Sequence, residues 1–287
     1  MQPLKAFYWM IGAVVSFVAM AVAGREISAE LNTFELMLYR SIIGLIVVLL
    51  LLGRSKHGFA QVKTNRFGQH LTRNVLHFSA QNMWFYGIAT IPLSQLVALE
   101  FTNPIWVVLF APLMLGEKMT RKKLFVAFLG FIGVLIVAQP GVQPLSWGHA
   151  AGLGAALGFA LNNMMTSKIM RVDRVLTVLF WMTLMQLVFA FFLSLPGGIP
   201  VPSSQIAPWL VVVGICGLTA HYCLTMALSL APASIVAPMD FIRLPIIAIV
   251  GMVLYSEPLL MPVFIGGGLI IAANLLNLRD KPKPKQP

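Results

Sequence analysis

Four charged side chains stand deep inside long apolar runs of this chain: Arg40, Glu100, Asp240 and Arg243. A charge held in hydrocarbon costs about 2.5 kcal/mol or more, so such groups are paired and turned toward protein or a wet cavity. Asp240 and Arg243 are three residues apart and can pair on one helix face. Glu100 has no basic residue on its own run, which makes Arg40 or Arg243 its expected partner. If these pairs form and break between states, they act as gates or coupling groups; a purely structural ion pair is the competing reading.

Uncharged polar residues gather in three other runs. His77, Gln81, Asn82 and Trp84 lie in one, Asn162 and Asn163 in a second, and His221, Tyr222 and Thr225 in a third. His77, Gln81 and Trp84 share a helical face by spacing, as do His221 and Thr225. Facing lipid would be costly for all of them. They are therefore expected to bind solute along a pathway, with interhelical hydrogen bonding as the alternative. Pro104 and Pro112 in one run, and Pro238 and Pro245 in another, each remove a backbone donor and free a carbonyl. Such breaks survive at membrane depth where protein or a cavity satisfies the freed groups, and simple kinks are the alternative. Phe17, Trp84, Tyr86, Phe159 and Trp181 lie deep enough to wall a cavity, although core packing explains each equally well. Tyr8, Trp9, Trp147 and Trp209 fall near run ends, where interfacial anchoring is the ordinary role.

Other chemistry is not indicated. The five histidines, His57, His70, His77, His149 and His221, have no metal-ligand spacing, and no nucleophile stands beside a base. Neither an enzyme nor a metal or cofactor site is expected. Cys216 and Cys223 lie seven residues apart on one helix face, roughly 10 Å apart, too far for a disulfide.

The elements that must position these residues follow from hydropathy. Of 287 residues, 59% are hydrophobic and 10% charged, whereas soluble domains carry about 25% charged residues. Apolar runs of membrane-crossing length recur at 6–23, 33–53, 70–90, 93–115, 121–138, 149–167, 175–195, 207–229, 232–255 and 259–277. Breakers separate them: Ile91-Pro92, Gln139-Pro140-Gly141, Pro196-Gly197-Gly198, Ala231-Pro232 and Glu257-Pro258. The net charge of +11 does not mark a nucleic-acid binder, because the basic residues fall between apolar runs. With the N-terminus inside, 17 of the 20 basic residues, Lys118, Arg121 and Arg174 among them, fall on the cytoplasmic side. Arg25 alone falls outside, which orients both chain ends to the cytoplasm of a bacterial inner membrane. The first run imitates a cleaved signal peptide, but the repeat described next requires its retention.

Adding 140 to Pro92, Ser94, Glu100, Phe101 and Glu117 lands on Pro232, Ser234, Asp240, Phe241 and Glu257. A shift of 142 places Gly12, Ala13 and Phe17 on Gly154, Ala155 and Phe159. Five crossings per copy is an odd number, so the second copy enters from the opposite side. The expectation is an all-α membrane protein of ten transmembrane helices as two inverted five-helix repeats, 1–140 and 141–278, with 279–287 a disordered basic cytoplasmic tail.

At Leu115-Gly116-Glu117-Lys118 with Gly130 and Gly133, and at Tyr255-Ser256-Glu257-Pro258 with Gly266, Gly267 and Gly268, the chain resembles the drug/metabolite transporter superfamily. The likeness is to its EamA-type branch of ten-helix carriers, and the run Phe34 to Arg40 matches that branch's second-helix arginine pattern. Met182 stands at the second-half position matching Arg40, so any role for that arginine is asymmetric. The resemblance implies a secondary carrier that moves small organic metabolites by alternating access. Amino-acid export, aromatic or otherwise neutral, is expected first, and uptake of a nucleoside-like or methionine-derived metabolite second; a non-transporting membrane partner subunit is the rival class. The glycine clusters of the fifth and tenth helices are expected to permit close helix contact outside the pathway. Glu117 and Glu257 are expected to cap the helices that follow them.

Overall fold

Helix ends are written locally in this chain. Asn32 accepts hydrogen bonds from the Phe34 and Glu35 amides at 2.9 and 3.1 Å, and Glu35 accepts from the Asn32 amide at 2.8 Å, a reciprocal cap. Thr120 accepts from the Lys123 amide at 3.2 Å. Gln139 and Ser256 terminate their helices in the left-handed region, with φ of 45° and 53°.

The computed structural model describes residues 2–115, 119–139, 144–170, 172–230 and 239–278. Glu117, Lys118, Pro232, Ser234, Pro238, the tail 279–287 and the side chain of Thr225 lie outside the described set. Eleven α-helices run through the described residues: α1 (Pro3–Ile27), α2 (Thr33–Arg54), α3 (Phe67–Thr90), α4 (Leu93–Glu100), α5 (Asn103–Leu115), α6 (Arg121–Ala138), α7 (Trp147–Ile169), α8 (Val175–Ser194), α9 (Ala207–Leu230), α10 (Arg243–Tyr255) and α11 (Met261–Leu278). No strand occurs among the described residues. Wherever the described helices share an end with an apolar run, the two agree to within four residues.

Five spans are long and apolar enough to cross a membrane on length and composition alone: 4–27, 33–54, 93–110, 175–197 and 207–224. Helix α3 falls short of that criterion because it carries His70, Arg73, Asn74, His77, Gln81 and Asn82, and all six are buried. Its polarity is turned inward, as hydrocarbon surroundings require. Arg73, one of the 17 basic residues that the sequence places on the cytoplasmic side, is one of these buried groups: its Nε donates to Thr166 Oγ1 at 3.1 Å and its Nη1 to Asn74 Oδ1 at 2.7 Å.

The principal helix pairings are α1 with α9, α3 with α7, α2 with α8, and α6 with α11. Each joins a helix before residue 140 to one after it, and exchanging the halves maps the set onto itself. Small residues set the closest of these approaches. A Cβ on Gly133 would lie 2.8 Å from the Gly266 carbonyl oxygen, and one on Gly266 would lie 2.6 Å from the Gly133 carbonyl oxygen. Gly268 has open space around it and takes no part. A Gly133→Leu substitution forces α6 and α11 apart. The expected cost is about 1–3 kcal/mol, measured as a lower melting temperature in detergent, and an unchanged melt refutes the contact.

Outside the helical bundle, Asp173 Oδ2 accepts from Thr64 Oγ1 and pairs with His70 Nε2, both at 2.7 Å. Burial alone raises this carboxyl, but those hydrogen bonds and the charges of His70 and Arg66 hold it below its ordinary value. The loop after α2 is thereby tied to the start of α8.

Candidate functional site

Two helices break at the same register. Helix α4 ends at Glu100, Phe101 and Thr102 form a turn, and α5 starts at Asn103. In the second half the backbone is helical at 239 and 240, turns at Phe241 and Ile242, and α10 starts at Arg243. The offset of 140 relates every one of these positions. Pro104, one residue into α5, and Pro245, two residues into α10, account for the breaks, since neither can donate back across the turn. Pro112 sits inside α5 without ending it.

The freed backbone groups find partners. Asn274 Nδ2 of α11 donates to the Phe101 carbonyl at 2.8 Å, and Thr102 Oγ1 donates to the Leu99 carbonyl at 2.7 Å. Asn274 is buried and lines the cavity described next. The tenth predicted helix, expected to lie outside the pathway, thus contributes a buried amide to the cavity wall. Two amides, Asn274 and Asn277, stand in this otherwise apolar run, and Asn274 is the one turned to the cavity.

A cavity of about 370 Å3 opens at the two breaks. Its walls contain seven pairs of residues related by the sequence repeat. An offset of 140 relates Gln81 to His221, Trp84 to Leu224, Glu100 to Asp240, Phe101 to Phe241, and Asn103 to Arg243; an offset of 142 relates Phe17 to Phe159 and Met20 to Asn162. His77, Pro104, Asn163 and Asn274 complete the lining.

Arg243 links the halves. Its Nη2 donates to Glu100 Oε1 at 2.9 Å and to Asp240 Oδ2 at 3.2 Å, while its Cζ lies 4.8 Å from the Phe17 ring centroid and 5.1 Å from that of Phe101. Trp84 Nε1 donates to the second Glu100 oxygen at 2.9 Å. The partner of Glu100 is therefore Arg243 and not Arg40. Arg40 is buried, donates to Met37 Sδ at 3.5 Å and packs against Gly217. Among the described residues neither Arg40 nor Arg73 has a carboxylate in ion-pair contact.

Also in the lining, His77 and His221 approach with ring centroids 6.1 Å apart. His77 Nδ1 meets the Gln186 side-chain nitrogen at 2.7 Å, so the amide donates and fixes the ring, leaving buried Nε2 without a partner. Gln186, on α8, escaped the sequence reading because its neighbours in the chain are apolar. Of the other expected site residues, Asn82 donates to the Phe78 carbonyl at 2.8 Å within its own helix, outside the lining. Tyr222 is exposed and packs edge-on against Trp9, away from the cavity. Pro238 and the Thr225 side chain lie outside the described residues.

One end of the bundle is cross-linked by charged groups. Arg25 of α1 pairs with Glu257 at 3.1 Å and donates to the Ile91 carbonyl at 2.7 Å; Glu257 also accepts from the Leu93 amide at 2.9 Å, and Tyr255 donates to Glu26 at 2.8 Å. Glu257 thus caps α4, across the molecule, and not the helix that follows it in sequence. At the opposite end Lys168 Nζ donates to the Met114 carbonyl at 2.9 Å.

A helical, multi-pass bundle holding a mainly apolar cavity with a few charged and hydrogen-bonding groups at paired helix breaks defines an integral membrane transporter of small molecules. The chain belongs to the EamA-like transporter family of the drug/metabolite transporter superfamily, whose family model matches it twice, over residues 4–139 and 146–279. It is 30% identical over 278 residues to a riboflavin transporter of Brucella anthropi, covering 94% of this chain and 97% of that protein. It is 26% identical to an S-adenosylmethionine uptake transporter of Rickettsia felis, covering 98% and 94%. A solved crystal structure matches the fold with a TM-score of 0.65 at 13% identity, over 95% of this chain and 96% of that one.

Proposed function

We propose that this protein is an alternating-access carrier that takes up a ring-bearing metabolite of nucleoside-like or methionine-derived type. In this reading ten crossings form two oppositely oriented five-helix halves, 1–140 and 141–278, with both chain ends and the basic tail in the cytoplasm. The observation that carries it is the cavity wall built from seven repeat-related pairs. Equivalent residues of two inverted copies meet only around their shared axis, near the midplane, which is where carriers of this construction bind cargo. The double match of the family model supports the division into halves.

Cargo follows from the walls and the relatives. The aromatic rings of Phe17, Trp84, Phe101, Phe159 and Phe241 offer flat apolar surface, and His77, Gln81, Asn162 and Asn163 offer hydrogen bonds to fix a heterocycle. The names of the relatives, riboflavin transporter and S-adenosylmethionine uptake transporter, support uptake of such a solute over amino-acid export. His77, Gln81, Trp84, Asn162, Asn163 and His221 bind solute in this scheme, and Glu100, Asp240 and Arg243 gate or couple.

The test is flux in proteoliposomes with labelled riboflavin, S-adenosylmethionine and tryptophan. Saturable uptake with counterflow of a ring-bearing metabolite is expected. Flux of tryptophan alone restores amino-acid export, and no flux of any solute favours a non-transporting subunit. Trp84→Ala is expected to weaken large-ring solutes at least about tenfold while sparing small ones, since it removes both a stacking wall and the hydrogen bond to Glu100. Equal loss for every solute would mark Trp84 as packing.

A further inference from the structure

The charges lining the cavity do not cancel. Glu100 and Asp240 face the guanidinium of Arg243, and among the described residues no Lys and no other Arg is in the lining. One nitrogen, Nη2, serves both carboxylates, while Arg243 Nε and Asp240 Oδ1 are buried without hydrogen-bond partners. A bidentate fork, the strong form of this interaction, is not made. The guanidinium also sits over the faces of Phe17 and Phe101, at 4.8 and 5.1 Å, with Phe241 stacked edge-on to Phe101 at 5.1 Å. Aromatic faces combined with carboxylates are the recognition chemistry of organic cations.

We propose that Glu100, Asp240 and the Phe17 and Phe101 rings form a receptor for a positively charged centre on the solute, and that Arg243 holds this place when no solute is bound. The cargo is then an organic onium or protonated amine carried on a ring-bearing body. This deepens the carrier reading and rests on the cavity being the solute site. Of the two cargo chemistries named for the relatives, the cationic sulfonium fits this end of the cavity and the neutral flavin does not.

Matched probes isolate the charge. S-adenosylmethionine and S-adenosylhomocysteine differ by one methyl group and its positive charge, as do 1-methylnicotinamide and nicotinamide. Equilibrium dialysis of labelled probes against the full chain in nanodiscs is expected to show the cationic member of at least one pair binding about tenfold tighter or more. Asp240→Asn brings that ratio close to one, and Asp240→Glu, which keeps the charge, retains it; monodisperse elution confirms that each variant is folded. Equal binding within both pairs, no binding of either cation, or a ratio preserved in Asp240→Asn overturns the proposal. Saturable riboflavin flux without any cation preference would overturn this inference and leave the carrier reading standing, whereas a cation preference in dialysis without flux of any solute would do the reverse.

Discussion

Arg243→Gln is expected to unfold more of this protein than any other single change at the cavity. It leaves Glu100 and Asp240 in a part-buried site with no counter-charge among the described lining residues. Removing one partner of a buried ion pair costs about 3–5 kcal/mol, because the remaining charge stays desolvated, and at this chain length that is a fall in melting temperature of roughly 10 °C. The double change Arg243→Gln with Asp240→Asn is expected to recover much of the loss. Glu100→Gln behaves differently: Arg243 keeps Asp240, and the amide oxygen still accepts from Trp84. That variant is expected to elute as a folded monodisperse species yet transport at the background rate, because the ion pair between Arg243 and Glu100 is gone. Full flux in Glu100→Gln, or an unchanged melt in Arg243→Gln, would take the triad out of the mechanism.

Glu257→Gln is expected to have the second-largest effect, and on conformation more than on folding. Glu257 holds Arg25 at 3.1 Å and the Leu93 amide at 2.9 Å, so three separate parts of the chain, the ends of α1 and α10 and the start of α4, converge on one carboxylate. A hydrogen bond to a charged group contributes about 1.5–3 kcal/mol. Losing this contact shifts a two-state equilibrium toward opening of that end by about tenfold or more. A cysteine introduced at buried Ser94, beside Leu93, reports the change through its rate of modification by a membrane-impermeant maleimide in a Cys216→Ser, Cys223→Ser background. Labelling at least about tenfold faster in Glu257→Gln is expected. No acceleration would show that the contact is a static cap and not a gate.

These two clusters were not equally visible in the sequence. Glu100, Asp240 and Arg243 announced themselves because a charge in an apolar run has no other explanation, and the repeat placed the two acids at equivalent positions. The breaks beside Pro104 and Pro245 were readable for a similar reason, since a missing amide hydrogen is a covalent fact. Glu257 looked like a cap for the following helix because proximity in the chain was the only available guide; its real partners lie 164 and 232 residues away. Arg73 looked like one more cytoplasmic charge, since its burial depends on Thr166, on a helix from the other half. Tyr222 fell on a polar stretch, yet its own helix rotates it outward onto Trp9.

By itself the sequence determined the number and length of the apolar runs, their ends, the duplicated register and the two helix breaks. All of these are set within one turn or one segment by hydropathy, capping side chains and proline. The tertiary structure alone decided which helix faces meet: that Arg243 and not Arg40 neutralises Glu100, that Asn274 and Gln186 belong to the centre, and that Arg25 and Glu257 cross-link one end. Those choices depend on helix rotation and packing between residues more than a hundred positions apart. No local pattern encodes that relation until the bundle has formed.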